Sequence, residues 1–89
     1  MIAEKDKTVI SDLAREYGVQ RILLFGSAAD PEKQAADIDL GVIGIEPTRF
    51  FDFCADLLFG LSKPVDVVDL SSDTQFNALV KRDGIQLYG

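Results

Sequence analysis

Asp37 and Asp39 are two carboxylates, separated by one residue, at the start of an otherwise apolar stretch. Successive side chains of a strand point to opposite faces, so both carboxylates are expected on one face of a strand over residues 37–45. Their negative charges repel each other, and desolvation penalises each of them. A divalent cation such as Mg²⁺ would offset this cost, because hard cations prefer oxygen ligands. The spacing therefore predicts a metal site.

A turn formed by Gly26 and Ser27 precedes the aspartates and follows the apolar run 22–25. Its backbone N–H groups can be presented to an anion. A polar loop of nine residues, 28–36, connects this turn to the aspartates. An anion site beside a pair of metal-binding carboxylates is suited to chemistry on a nucleoside triphosphate.

A third carboxylate is available in the apolar segment 64–70. Strand alternation places Asp66 and Asp69 on opposite faces of this segment. An acid in the middle of such a strand requires a physical reason, and this favours Asp66 as the third member of the site. Asp69 remains the alternative, although it is more simply explained by the turn before the last helix.

Hydrophobic periodicity and turn residues predict the elements that position these side chains. The predicted helices cover residues 3–17, 47–61 and 72–82, and the predicted strands cover 19–25, 37–45, 64–70 and 85–88. The broad apolar stripe of the helix at 47–61 predicts burial on more than one side. A capping box at Ser72 is expected to begin the last helix. The order α-β-β-α-β-α-β predicts a mixed α/β fold in a single domain over residues 1–89.

The composition restricts the chemistry, since the chain has a net charge of −6, no histidine and one cysteine. Without histidine, catalysis depends on carboxylates, hydroxyls, backbone amides or a bound ion. The acidity disfavours direct nucleic-acid binding and favours a basic partner or a metal-bound substrate. Cys54 has no second cysteine with which to pair, and neither a signal peptide nor a membrane-spanning run is recognisable. These features predict a cytoplasmic protein.

Four segments together carry a family resemblance, and they extend over nearly the whole chain. They are the lead-in RILLFGS, then ADIDLGV, PVDVVDL and the closing VKRDGIQLYG. In this order they resemble the DNA polymerase β nucleotidyltransferase superfamily, and more closely its minimal nucleotidyltransferase (MNT) group. The resemblance implies a small α+β fold with a mixed sheet of about four strands and helices packed on one side.

The resemblance also implies a role for each residue of the motif. Asp37, Asp39 and Asp66 would ligate a pair of Mg²⁺ ions, and Asp66 could accept the proton of an attacking hydroxyl. Gly26 and Ser27 would hold the outer phosphates of ATP. The implied reaction is attack of an acceptor hydroxyl on the α-phosphate with release of pyrophosphate.

Two departures from the family pattern concern the loop after Ser27. The loop is one residue shorter than in most members, and it has Ala28, Ala29 and Asp30 where many members have a basic residue. A shorter and less basic loop is expected to bind triphosphate less tightly, although Lys33 could substitute. Weak or lost catalysis is therefore an alternative, because fold likeness alone does not guarantee activity.

Free-standing MNT proteins of this size resemble the antitoxin half of toxin–antitoxin pairs whose partner is a helical HEPN-domain ribonuclease. The resemblance implies transfer of AMP from ATP to a tyrosine of that toxin, in a homodimer or a hetero-oligomer. An antitoxin that acts by binding alone is the alternative. A transferase for a small molecule or an RNA end is less favoured, because 89 residues leave little room for an acceptor pocket.

Overall fold

A computed structural model describes residues 2–89 of the chain. The helices are α1 (Glu4–Glu16), α2 (Phe50–Gly60) and α3 (Gln75–Asp83), and the strands are β1 (Arg21–Phe25), β2 (Ile38–Ile43), β3 (Val65–Asp69) and β4 (Ile85–Tyr88). Short 3₁₀ turns at Gly26–Ala29 and Pro47–Arg49 follow β1 and precede α2. The predicted element order is confirmed, and each predicted strand and helix overlaps its observed counterpart.

The four strands form one sheet in the order β3-β2-β1-β4. β1 pairs antiparallel with both β2 and β4, whereas β2 pairs parallel with β3. The predicted mixed sheet is thus confirmed. A parallel pair requires a crossover connection, which α2 supplies.

The main core lies between the sheet and one helical layer made by α1 and α2. Alternate strand residues point into it, and they pack against buried side chains of both helices. Its fully buried members include Ile10 of α1, Leu24 of β1, Leu40 of β2, and Phe53 and Leu57 of α2.

The expectation that the helices pack on one side of the sheet is correct for α1 and α2 and wrong for α3. Val80 of α3 forms a second buried cluster with Leu23 and Leu70 on the opposite face. Gly41 of β2 makes this approach possible, because a Cβ at that position would lie 3.0 Å from Cγ of Leu70 and 3.3 Å from Cγ1 of Val80. The physical reason lies in β1, whose apolar run has to be covered on both faces.

Burial of α2 is also more one-sided than its sequence predicts. Phe53 and Leu57 are fully buried, but Phe51 is 82% exposed, Leu58 58% and Phe59 87%. The apolar stripe therefore covers the core with one side and leaves a second apolar side in contact with solvent.

The start of α3 differs from the predicted cap by two residues. Thr74, rather than Ser72, is the N-cap, and its side-chain oxygen accepts a hydrogen bond from the backbone N–H of Asn77 at 3.0 Å. Ser72 contributes its carbonyl instead, which accepts from the side-chain amide of Asn77 at 2.8 Å. Within residues 2–89, every helix falls short of the length and hydropathy needed to cross a membrane.

Candidate active site

Strand β2 positions Asp39 at the centre of the candidate site. In the sheet register Asp39 is opposite Phe25 of β1 on one side and opposite Asp66 of β3 on the other. Register partners project to the same face, and neighbouring strands lie about 4.8 Å apart. The carboxylates of Asp39 and Asp66 are therefore neighbours on the face of the sheet that α3 partly covers.

Asp37 comes two residues before Asp39 and immediately precedes β2, which begins at Ile38. Asp39 is half-buried, whereas Asp37 and Asp66 are exposed. Burial raises the pKa of the Asp39 carboxyl, and the negative charges of Asp66 and then Asp37 raise it further. Both predicted partners are thus close enough to act on Asp39 electrostatically.

Asp69 lies on the other face of β3, where its register partner is Val42. Its Oδ1 accepts a hydrogen bond from the backbone N–H of Ser71 at 2.9 Å, as expected for a residue that stabilises a turn. Of the two acids considered for the third position, the structure brings Asp66 next to Asp39 and holds Asp69 apart.

The three aspartates supply the oxygen ligands that Mg²⁺ prefers, and a cation would relieve the repulsion that raises the pKa of Asp39. Among residues 2–89, no three His, Cys, Asp or Glu side chains stand close enough together to hold a metal ion as they are. Asp37 and Asp66 are exposed, so their side chains can rotate toward a shared cation at small cost. These ligand types fit magnesium, and the side chains of Asp37 and Asp66 would rotate to bring their oxygens around the ion.

Gly26 and Ser27 open the 3₁₀ turn that follows β1, and both are exposed. Gly26 has φ +70°, a conformation that favours glycine. A Cβ at this position would also collide with Oδ2 of Asp39. The turn therefore passes directly against the carboxylate, so the predicted anion site and the predicted metal site are adjacent.

Lys63 contacts the loop between Ser27 and Asp37. Its Nζ donates a hydrogen bond to the carbonyl of Ala35 at 2.8 Å, and together with Lys33 it lines a polar depression beside this loop. The sequence patterns described above assign Lys63 no role. Its position just before β3 was the available signal, because the start of β3 pairs with the start of β2.

Phe25 and Phe76 form an aromatic wall beside the carboxylates. Phe25 is the register partner of Asp39 and shares its face of the sheet. Its ring meets that of Phe76 edge to face, with centroids 5.7 Å apart, and Phe76 remains half-exposed. Sequence analysis gave neither ring a role in the site, although strand alternation alone places Phe25 on the face of Asp39 once the two strands are paired.

The site thus combines three neighbouring carboxylates, a turn that is predicted to bind an anion, and an apolar wall at one side of a mixed four-stranded sheet. The family model described as "Polymerase beta, Nucleotidyltransferase" matches residues 7–89. The chain belongs to this nucleotidyltransferase family.

Solved structures of toxin–antitoxin pairs are similar to this chain over nearly its whole length. One, a toxin–antitoxin with AMP-PNP, has 26% identity and a TM-score of 0.73, covering 98% of this chain and 74% of that one. The MntA–HepT toxin–antitoxin has 26% identity and a TM-score of 0.72, covering 98% and 73%. A tri-AMPylated HEPN toxin of Shewanella oneidensis in complex with an MNT antitoxin has 28% identity and a TM-score of 0.71, covering 94% and 70%. No curated protein sequence gives a significant match.

Proposed function

We propose that this protein is a magnesium-dependent adenylyltransferase that acts as an antitoxin, transferring AMP from ATP to a tyrosine hydroxyl of a HEPN-domain toxin. The observation that carries this proposal is the pairing of Asp39 with Asp66 directly beside the turn at Gly26. Likeness to a toxin–antitoxin bound to AMP-PNP supports ATP as the donor. Likeness to a complex with a tri-AMPylated toxin supports the acceptor.

Asp37, Asp39 and Asp66 would hold the magnesium. When bound, Mg²⁺ neutralises the charge that develops on the triphosphate. Gly26 and Ser27 would hold the outer phosphates through the backbone N–H groups of their turn. Lys33 is the exposed cation that lies in the loop and could replace the basic residue that this loop lacks.

In the transfer step the acceptor oxygen attacks the α-phosphorus of ATP. A new P–O bond forms there, the bond from the α-phosphorus to the oxygen bridging it to the β-phosphate breaks, and pyrophosphate leaves. Asp66 would accept the proton of the acceptor hydroxyl, because it is the exposed member of the Asp39–Asp66 pair. A cytoplasmic location would follow from the need for ATP.

An antitoxin that neutralises its toxin by binding alone is the second candidate function. The observation that favours it is the loop after Ser27, where Ala28 is buried and Asp30 stands where many family members have a basic side chain that could hold phosphates. In that case the carboxylates would be dispensable for neutralisation.

The deciding experiment uses ATP labelled at its α-phosphate, magnesium, and, as acceptor, the product of the neighbouring gene, which this proposal expects to be a HEPN toxin. We expect label on the HEPN protein with the natural chain and with Asp69→Asn, which removes the same charge from the opposite face of β3. With Asp66→Asn, labelling should fall by roughly 10²-fold or more, as for loss of a general base. An unlabelled HEPN protein whose ribonuclease activity is still silenced would reject transfer and support binding alone.

A further inference from the structure

The outer side of α2 carries an apolar patch that residues 2–89 leave uncovered. It consists of Phe51, Leu58 and Phe59, which are 82%, 58% and 87% exposed, and we call it the outer α2 patch. Its members lie within about 100° of arc on the helix, away from the buried Phe53 and Leu57. Two almost fully exposed phenylalanine rings on one helix face are typical of a binding surface rather than of scattered surface residues.

Acidic side chains border the outer α2 patch on the side of α1. Asp12, Glu16 and Asp56 line a shallow groove together with Phe59, and the negative charge of Asp52 acts on Tyr17. Two cations stand against these four acids: Arg15 pairs with Asp12 at 3.3 Å, and Arg49 lies 4.2 Å from the centre of the Tyr17 ring. The border is therefore net negative, in keeping with the charge of −6 for the whole chain.

The acidic border indicates which kind of protein can bind the outer α2 patch. A second copy of the chain would place one acidic border against another, which is unfavourable at an interface. A partner whose apolar row is bordered by lysine and arginine would complement both parts of the surface. We infer that the outer α2 patch docks an apolar helix face of the HEPN toxin bordered by basic residues; this inference rests on the proposed function.

The patch and the candidate active site are on opposite faces of the sheet. Buried side chains of α2, such as Phe53, share the core with Leu40 of β2, whereas Asp39 points away from that core. A toxin molecule docked on α2 therefore leaves the carboxylates open to a tyrosine. Holding the toxin and modifying it become separable activities of one small domain.

The test measures the affinity of the purified chain for the HEPN protein by calorimetry. In Phe51→Ser/Phe59→Ser the dissociation constant should rise by about tenfold to a hundredfold, the loss typical of one or two central aromatic contacts. Leu79→Ser is the matched control, because Leu79 is 49% exposed on α3 at the other face of the sheet, and its affinity should be unchanged. The natural chain and both variants should bind ATP with magnesium equally well. Equal binding would show that the variants are folded.

A charge-reversal variant separates the two kinds of occupant. Glu16→Lys/Asp52→Lys should weaken binding of the HEPN protein and reduce its dependence on salt, because it removes attraction to a basic border. If a second copy occupies the patch instead, the same variant should strengthen self-association by removing repulsion. A dimer in sedimentation experiments that Phe59→Ser dissociates would overturn the inference.

The remaining outcomes distinguish this inference from the proposed function. Binding that survives Phe51→Ser/Phe59→Ser overturns the docking surface and leaves the transferase proposal standing. Loss of labelling in Asp66→Asn with intact binding supports both proposals. A natural chain that does not bind the HEPN protein overturns the docking surface, while the labelling experiment decides the transferase proposal separately.

Discussion

Oδ2 of Asp39 occupies the space that a Cβ on Gly26 would need. The glycine is thus required twice, once for its φ of +70° and once for the contact with the carboxylate. This relationship links the turn that follows β1 to the central acid of β2 and explains why a Gly-Ser turn and an aspartate pair occur together in this sequence.

Gly26→Ala should therefore harm both folding and the site. A left-handed alanine costs about 1–2 kcal/mol, and displacement of Asp39 should add to that cost and reduce AMP transfer by roughly tenfold or more. Gly18→Ala is the matched control, since Gly18 has φ +68° and, apart from its two chain neighbours, no residue has an atom within 4 Å of the position that the added methyl group would take. Urea denaturation and the labelling assay would check this. Equal losses of stability with unchanged transfer in both variants would show that the contact with Asp39 is unimportant.

Removal of one of the three clustered charges should stabilise the metal-free protein. We expect Asp37→Asn to raise the free energy of unfolding by about 0.2–0.5 kcal/mol, because it relieves repulsion acting on Asp39 that solvent screens in part. In the natural chain, magnesium at a hundred times its dissociation constant should add about 2.7 kcal/mol, and most of this gain should be absent from the variant.

Thermal melts with and without magnesium measure both effects. Asp69→Asn serves as control, because it removes the same charge from the opposite face of the sheet and should keep the full response to magnesium. An Asp37→Asn protein that responds to magnesium like the natural chain would exclude Asp37 from the metal site.

The hydroxyl of Tyr17 should lose its proton at an unusually high pH. It donates a hydrogen bond to Asp56 at 2.6 Å, and this bond, followed by burial and the charges of Asp56 and Asp52, raises the pKa of Tyr17 from 10.0 to about 12. Between these two values the folded chain keeps a proton that the unfolded chain has lost. The contribution to stability is therefore complete below pH 10.0 and disappears as the pH rises through about 12.

Phenolate absorbance would follow this titration, and the chain has only two tyrosines to resolve. Asp56→Asn should lower the pKa of Tyr17 toward its ordinary value of 10.0, whereas Asp12→Asn should leave it unchanged. If the pKa of Tyr17 stays high in Asp56→Asn, the hydrogen bond to Asp56 is not the cause of the raised value.

Asp6 should be important for stability although it lies outside the site. It is only 2% exposed, and its carboxylate accepts hydrogen bonds from the backbone N–H of Ser62 at 3.1 Å and from its hydroxyl at 2.6 Å. Asp6→Ala leaves these donors without a partner and should cost about 1–3 kcal/mol in the free energy of unfolding. Asp12→Ala, an exposed change in the same helix, should stay within about 0.5 kcal/mol. Similar denaturation midpoints for both variants would contradict this role.

Sequence reasoning was most successful where the signal is local. Strand alternation separates Asp66 from Asp69, and the sheet register confirms this by pairing Asp66 with Asp39 and Asp69 with Val42. Asp37, which is expected on the face of Asp39, lies just before β2 and is close enough for its charge to raise the pKa of Asp39. The roles of these residues in metal binding and catalysis remain predictions. Element order was equally accessible, because glycine, proline and hydrophobic period mark each boundary within a few residues.

Features that depend on contacts between distant segments were not accessible. The choice of sheet face by α3 depends on Val80 meeting Leu23, and neither residue differs in type from those that pack in the main core. An apolar side chain such as Phe59 gives the same sequence signal whether the domain itself or a partner covers it. Asp6 follows the helical spacing of Ile10 and Ala14, but its acceptor role appears only once Ser62 is brought next to it.

The parallel pairing of β2 with β3 means that α2 must cross the sheet before Asp66 can lie beside Asp39. A partly unfolded chain in which this crossover has not docked lacks the shared site entirely. Any ligand that needs both carboxylates binds only the finished fold and lowers the population of open chains. Proteolytic clearance of this small domain should then slow as such a ligand becomes abundant, so that the lifetime of the protein would report on the supply of its own substrate.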